Sequence, residues 1–201
     1  LKDNPERPDN GVLSGDKARD GVERLALAMT LTKKRTIRSP EQSTETPNPT
    51  SLDASEVLTE WTEAEVKALL RRSIFDPATY GRARFHHRSI QEYLAAGRLS
   101  RLKEQNLTKR QLNNLLFAET YGEKVVIPTM QAIAAWLSIW NQDICREVLN
   151  REPEVLVLHG DPESLSVEVR SELIKNYVTA YSQGGWRGLK MPIGEVQRLA
   201  H

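Results

Sequence analysis

Two adjacent histidines, His86 and His87, stand between Phe85 and the run RSIQEYLAAGRL, with Arg82, Arg84 and Arg88 close by. Imidazole and guanidinium groups in one short stretch suit four roles: metal ligation, phosphate sensing, nucleic-acid contact, or simply the capped start of a helix. Neighbouring residues point in different directions on a helix or strand. Zinc-binding histidines are usually spaced three or four apart with a third ligand near, and the nearest other histidine is His159. That spacing argues against a metal. A phosphate has a physical basis, because a helix N-terminus presents unpaired N–H groups and the positive end of the helix dipole. Ser89 is placed as N-cap or first-turn hydroxyl, and the three arginines add charge. The same residues suit a solvated basic wing with one histidine exposed and the other packed on the helix, or a DNA contact. Against DNA, the helix after a wing is not the usual reader, and the preceding TEAEVKALLRRS offers few base-reading side chains beyond Arg71 and Arg72.

Other chemistries find no support. The chain has neither GxxxxGK[ST] nor GxGxxG, so a phosphate-cradling glycine loop is absent from it. Asp161-Pro162-Glu163 and the scattered serines and histidines form no triad pattern. Trp136 and Trp140, at i and i+4, read as core, and Cys145 between Ile144 and Val148 reads as a buried small hydrophobe. This single cysteine excludes an internal disulfide and a multi-cysteine zinc site, and suits a reducing cytoplasm. Twenty-eight basic residues against twenty-seven acidic ones leave +1, which makes nucleic acid an unlikely partner and gives no pull toward an acidic membrane. The longest apolar run, Met130 to Trp140, is about half of what a bilayer requires, and no signal peptide opens the chain. A start at Leu1 and a stop within the helical pattern EVQRLAH read as a piece cut from a longer protein.

The elements that would position these residues follow from periodicity and turn chemistry. Residues 1–15 read as loop or disorder. Asp16 is placed to cap a first helix whose face carries Val22, Leu25, Ala26, Met29 and Thr30. SPEQSTETPNPTS, residues 39–51, reads as a linker that buries no core. ASEVLTEW and TEAEVKALLRRS read as helices, the second with a Thr62–Glu65 capping box and an apolar face of Val66, Leu69 and Leu70. Ile74–Phe75 and Ala83–Arg84–Phe85 flank Asp76, Pro77 and Gly81 as a small β-hairpin. A helix from Ser89 to about Lys103 follows it. Beyond Leu107 the pattern reads as wholly α-helical: TKRQLNNLLFAET burying Leu112, Leu115, Leu116 and Phe117, then a helix opened by Pro128 with Ile133, Trp136, Leu137 and Trp140, and a last one closed by a glycine pair. The expected fold is mainly α, a winged-helix-like subdomain with a small β-hairpin followed by solenoid-like helical hairpins. The expected divisions are 1–50 (disordered start, helix and linker), 51–106 (winged-helix-like) and 107–201 (helical, HEAT-like).

The stretch FHHRSIQEYLAA resembles the F-x-H-x-S-x-Q-E-Y-L-A-A signature late in the NTPase module of NACHT-type STAND proteins, signalling ATPases of bacterial defence and animal innate immunity. Phe85, His87, Ser89, Gln91, Glu92, Tyr93, Leu94, Ala95 and Ala96 occupy its fixed positions, and Ile90 stands where Phe is common. GVERLALAMTLTKKRTIRSP on one side, and TYGEKVVIPTMQAIAAWLSIW through HGDPESLSVEVRSELI and GGWRG on the other, resemble the flanking helical segments more weakly. The resemblance implies a bacterial, cytoplasmic regulatory segment that switches between ADP and ATP states. His87 would sense the nucleotide phosphate, with Phe85, Ser89, Gln91, Glu92 and Tyr93 as supporting residues and Arg84 and Arg88 as anion contacts. His86 occupies a variable position and inherits no role. It implies no catalysis within this chain and no cofactor of its own. ADP or ATP with Mg, held by an upstream P-loop NTPase domain, would belong to the parent protein, which would oligomerise on activation in answer to a trigger such as a protein. A DNA-binding winged-helix regulator and a helical protein-interaction scaffold are the alternative readings.

Overall fold

A computed structural model of the protein describes residues 12–40, 49–182 and 198–199. The chain divides into two compact units, Leu1–Arg98 and Leu99–His201. The division falls within a helix rather than at residue 106. Both units are mainly helical; a small mixed sheet lies in the first and a β-hairpin in the second. The 1–11 start and the Gly184–Gly185 pair of the sequence reading lie outside the described residues.

In the first unit, α1 (Gly15–Thr32) is capped by Ser14, whose side chain accepts from the Lys17 N–H at 3.3 Å. Asp16 is not the cap; it lies in the first turn, where the helix dipole favours a carboxylate. Val22, Leu25, Ala26 and Met29 are buried, as their spacing predicts. α2 (Ala54–Val57) is shorter than ASEVLTEW suggested, and α3 (Glu63–Leu70) begins with the predicted capping box between Thr62 and Glu65. α1 packs on both α2 and α3, so it shares their core rather than standing apart with the segment before residue 51. Gly21 marks the approach: a Cβ there would fall 2.5 Å from the Trp61 ring and 2.9 Å from Leu69.

The sheet runs in the order β2-β1-β4-β3. β1 (Thr36–Arg38) lies parallel to β2 (Ser51–Asp53), pairing Arg38 with Asp53, and antiparallel to β4 (Ala83–Phe85) through Ile37 and Ala83. β3 (Phe75–Pro77) closes the other edge. β2 corrects the linker reading, since Ser51, the last residue of that segment, is paired with Thr36 of β1, and Pro40 and Ser51 are buried. Polar groups fasten the parallel pair. Thr36 and Ser51 hydroxyls are 2.6 Å apart, and Arg38 donates to Asp53 at 2.7 Å with both side chains nearly buried. Burial pushes the Asp53 carboxyl up, but hydrogen bonds from Ser55 and Arg38 outweigh it and hold the group below its usual range. Asp53 also caps α2 by accepting from the Ser55 N–H at 3.0 Å.

The second unit contains a strand pair that the sequence reading missed. α4 (Arg88–Gln105) leads to α5 (Lys109–Leu116), whose Thr108–Gln111 capping box starts it cleanly. The helix stops at Leu116. Phe117–Thr120 is β5, paired antiparallel with β6 (Glu123–Val126) through the two-residue turn Tyr121-Gly122 at φ 55° and 80°. Two successive positive φ values are what a tight hairpin turn with the right twist needs, and glycine supplies the second without strain. Region 107–201 is therefore not wholly α-helical. α6 (Gln131–Trp140), α7 (Gln142–Arg151), α8 (Val155–Leu158) and α9 (Val167–Ser182) complete the unit. Pro128 opens a 3₁₀ turn ahead of α6; Ile133 and Leu137 are buried, while Trp140 is exposed. Cys145 is buried on α7, and that burial pushes its thiol up, away from reactivity.

Removing one partner of a desolvated ion pair strands the other, so Asp53→Ala is expected to destabilise the first unit by about 3 kcal/mol in urea unfolding. Replacing Arg38 and Asp53 together by Met and Leu should restore most of that loss. The exposed pair of Arg24 and Glu60 behaves differently. The Arg24 hydrogen bond holds the Glu60 carboxyl at about 2, against 4.5 for the free side chain. A depressed carboxylate stabilises at neutral pH and loses that contribution as pH falls through its folded value. Solvent screening keeps the effect small, so Glu60→Gln should cost less than about 1 kcal/mol at pH 7. Unfolding curves of variant and parent should converge near pH 2.

Candidate functional site

The β3–β4 hairpin pairs Phe75 with Phe85, Asp76 with Arg84 and Pro77 with Ala83. Its inner face is apolar: the Phe75 and Phe85 rings are both buried, with centroids 4.8 Å apart and planes tilted by 44°. Phe85 therefore anchors the strand from which both histidines emerge. The His86 N–H donates to the Ile74 carbonyl at 2.9 Å, closing the base of the hairpin. Its ring is held from the neighbouring strand, with Nδ1 at 2.8 Å from the Asp76 carboxylate.

His87 immediately precedes α4, and its carbonyl accepts the first helical bond from the Gln91 N–H at 3.3 Å. The side chain is exposed. Its ring stands edge-on to His86, centroids 4.1 Å apart at 63°. The two rings therefore stay in contact instead of pointing apart, and both are exposed; one is tied to a carboxylate and the other stands at a helix N-terminus. The first N–H groups of α4 have no partner within the helix. Exposed Ser89 lies in the first turn, and the Arg88 side chain, 88% exposed, donates to Glu92 at 2.8 Å.

The supporting residues divide by direction. The Gln91 side-chain amide donates to the Thr30 hydroxyl on α1 at 3.4 Å, and Thr30 in turn donates to the Ala26 carbonyl at 2.9 Å. Leu94, Ala95 and Ala96 are buried and seat the helix, whereas Tyr93 is 41% exposed and Glu92 is engaged by Arg88 one turn back. Arg84 projects from the hairpin and makes no ion pair among the described residues. His87, Ser89 and Arg88 thus gather at the start of α4. Phe85 and Gln91 act beneath them, and Tyr93 lies further along the helix.

Sequence reasoning missed two features of this region. The Asp76 clamp on His86 is set by strand register, which a single sequence does not display. Arg82 does not join the α4 cluster: it lines a separate cavity with Lys67 and Arg71, and only folding brings α3 to the hairpin tip.

The arrangement can present a hydrogen-bond donor to an anionic oxygen. It offers no nucleophile with an adjacent base, and among the described residues no group of three or more His, Cys, Asp or Glu is placed to hold a metal ion. No helix among the described residues is long and apolar enough to cross a membrane. Comparison of the chain with protein-family models, with curated proteins and with solved structures gave no match.

Phe85 and His87 should separate in stability measurements. Truncating a buried aromatic usually costs about 3–5 kcal/mol, so Phe85→Ala should lower the thermal midpoint of the first unit sharply. His87→Ala removes an exposed ring and should stay within about 0.5 kcal/mol of the parent.

Proposed function

We propose that the chain is the regulatory C-terminal part of a NACHT-type STAND signalling ATPase, in which His87 reports the phosphate state of a nucleotide held by an upstream P-loop domain. The single observation that carries this reading is the exposed His87 imidazole at the N-terminus of the 18-residue α4. The ring, which makes no hydrogen bond to the described residues, stands where helix N–H groups also point outward. The succession of α3, the β3–β4 hairpin and α4 supports a winged-helix-like unit around it. In the second unit, consecutive helices such as α6 and α7, which pack on each other, support the helical-hairpin reading of the following region.

The fit to a nucleotide is partial and has a definite direction. His87, Ser89 and the first N–H groups of α4 suit the phosphate end, while the described residues hold no carboxylate cluster for Mg. A bound nucleotide supplies the charge and the difference between di- and triphosphate; Mg and base contacts belong to the other domain. His87 donates to a phosphate oxygen in the ADP state and so favours the closed monomer. Phe85 and Gln91 hold the backbone that carries the imidazole. When the contact is lost or rearranged on exchange for ATP, the winged-helix-like unit is released and an oligomerising surface is exposed, in cytoplasmic defence or signalling.

A hydrogen bond to a charged group contributes about 1.5–3 kcal/mol, which is roughly tenfold to hundredfold in an equilibrium. Such a contact biases the switch without locking it. In the full-length protein, His87→Ala is expected to speed ADP release by about tenfold to hundredfold and to raise basal activity. An unchanged ADP off-rate, measured by filter retention or a fluorescent analogue, overturns the reading. Salt-dependent DNA binding by the chain, lost with Arg71 and Arg72, would favour the DNA-regulator alternative instead.

A further inference from the structure

Beside the hairpin, within the first unit, lies a cavity of about 470 Å³ bounded by the end of α3, by β3, by the hairpin tip and by Ser39. That is the size of a small-molecule site, which typically spans about 300–1,000 Å³. His87 does not line it. Among the described lining residues, Lys67, Arg71 and Arg82 contribute three cations against the single carboxylate of Asp76, which His86 already engages. Lys67 has Glu63 at 3.9 Å one turn back on α3, but Arg71 and Arg82 have no carboxylate partner among the described residues. The Arg71 charge alone has an ordinary explanation, because a cation at a helix C-terminus complements the dipole. That explanation does not extend to Arg82, which comes from the other wall.

Arg82 supplies the second observation. Its side chain is half-buried and lines the cavity, and its Nε has no hydrogen-bond acceptor among the described residues. The guanidinium group lies 5.8 Å from the Tyr80 ring centroid, which holds it at the hairpin tip. Leu70 and Phe75 give the cavity an apolar wall between the cations. From this geometry we propose that the cavity binds a small organic phosphate, its anionic head on Arg71 and Arg82 and its apolar body against Leu70 and Phe75. Arginine is suited to the head because its planar fork matches phosphate oxygens in pairs. A bare phosphate satisfies the cations but leaves the apolar wall unused.

Phenyl phosphate, titrated calorimetrically into the 201-residue chain, tests this directly. Saturable binding is expected, about tenfold tighter than inorganic phosphate and weakened at least tenfold by Arg82→Gln and by Arg71→Gln. His87→Ala should leave it unchanged. Arg71 is exposed at the end of α3, so its variant should keep the fold even where Arg82→Gln proves unstable in a thermal melt. No saturable binding overturns the proposal, as does binding that survives in both arginine variants. Binding lost in His87→Ala but kept in the arginine variants also overturns it, while favouring phosphate recognition at α4. The two sites therefore fail separately.

Discussion

The hairpin that carries His86 and His87 is joined to the rest of its sheet at one place, where Ile37 of β1 faces Ala83 of β4. Each of the four strands has only three residues, too few to form a stable sheet in water without cover. That bridge holds because both residues are buried, Ile37 completely, and because Phe75 and Phe85 bury their rings a short step away. Everything of functional interest in the first unit is suspended from this junction. The start of α4 inherits its position from Phe85 three residues earlier, and the cation-lined cavity inherits its outer wall from the same hairpin.

Two neighbouring imidazoles come out of the strand with different partners because the backbone turns between them. His86 still belongs to the hairpin and is drawn to Asp76 across the strand pair. His87 already belongs to the helix, and its backbone serves α4 while its side chain stays in solvent. A donor placed by its main chain but open at its ring would give up only its own side-chain freedom on meeting a ligand, because Phe85 beneath it is already packed. Gln91 extends that support to α1 through Thr30.

Legibility in the sequence followed element length and locality. The α1 face, the Thr62–Glu65 box and the β3–β4 hairpin were readable because each is written within about a dozen residues, as helical spacing or as a turn flanked by β-formers. β1 and β2 were not. Three residues cannot display alternation, and the parallel pairing that makes them strands joins positions on either side of a Pro- and Thr-rich segment. The β5–β6 hairpin was legible in principle: Tyr121-Gly122 sits between Phe117 and Val125-Val126, but Leu115–Leu116–Phe117 continues the helical apolar pattern and masked the change of period. Ser14 won the capping position over Asp16 because either residue suits it and only the backbone decides. The helix start beside His87 was legible within one residue, as α4 begins at Arg88 where the pattern suggested Ser89, whereas the Asp76 clamp and the Arg82 cavity depend on tertiary neighbours.

Phosphate recognition by His87 is tested most directly by the reactivity of its ring. Full-length protein would be treated with diethyl pyrocarbonate in nucleotide-free, ADP-bound and ATP-bound states, and the modified histidine located by mass spectrometry. An imidazole bonded to a phosphate should be protected strongly by ADP and much less by ATP, while His86 changes little. Equal modification of His87 in all three states would contradict the assignment.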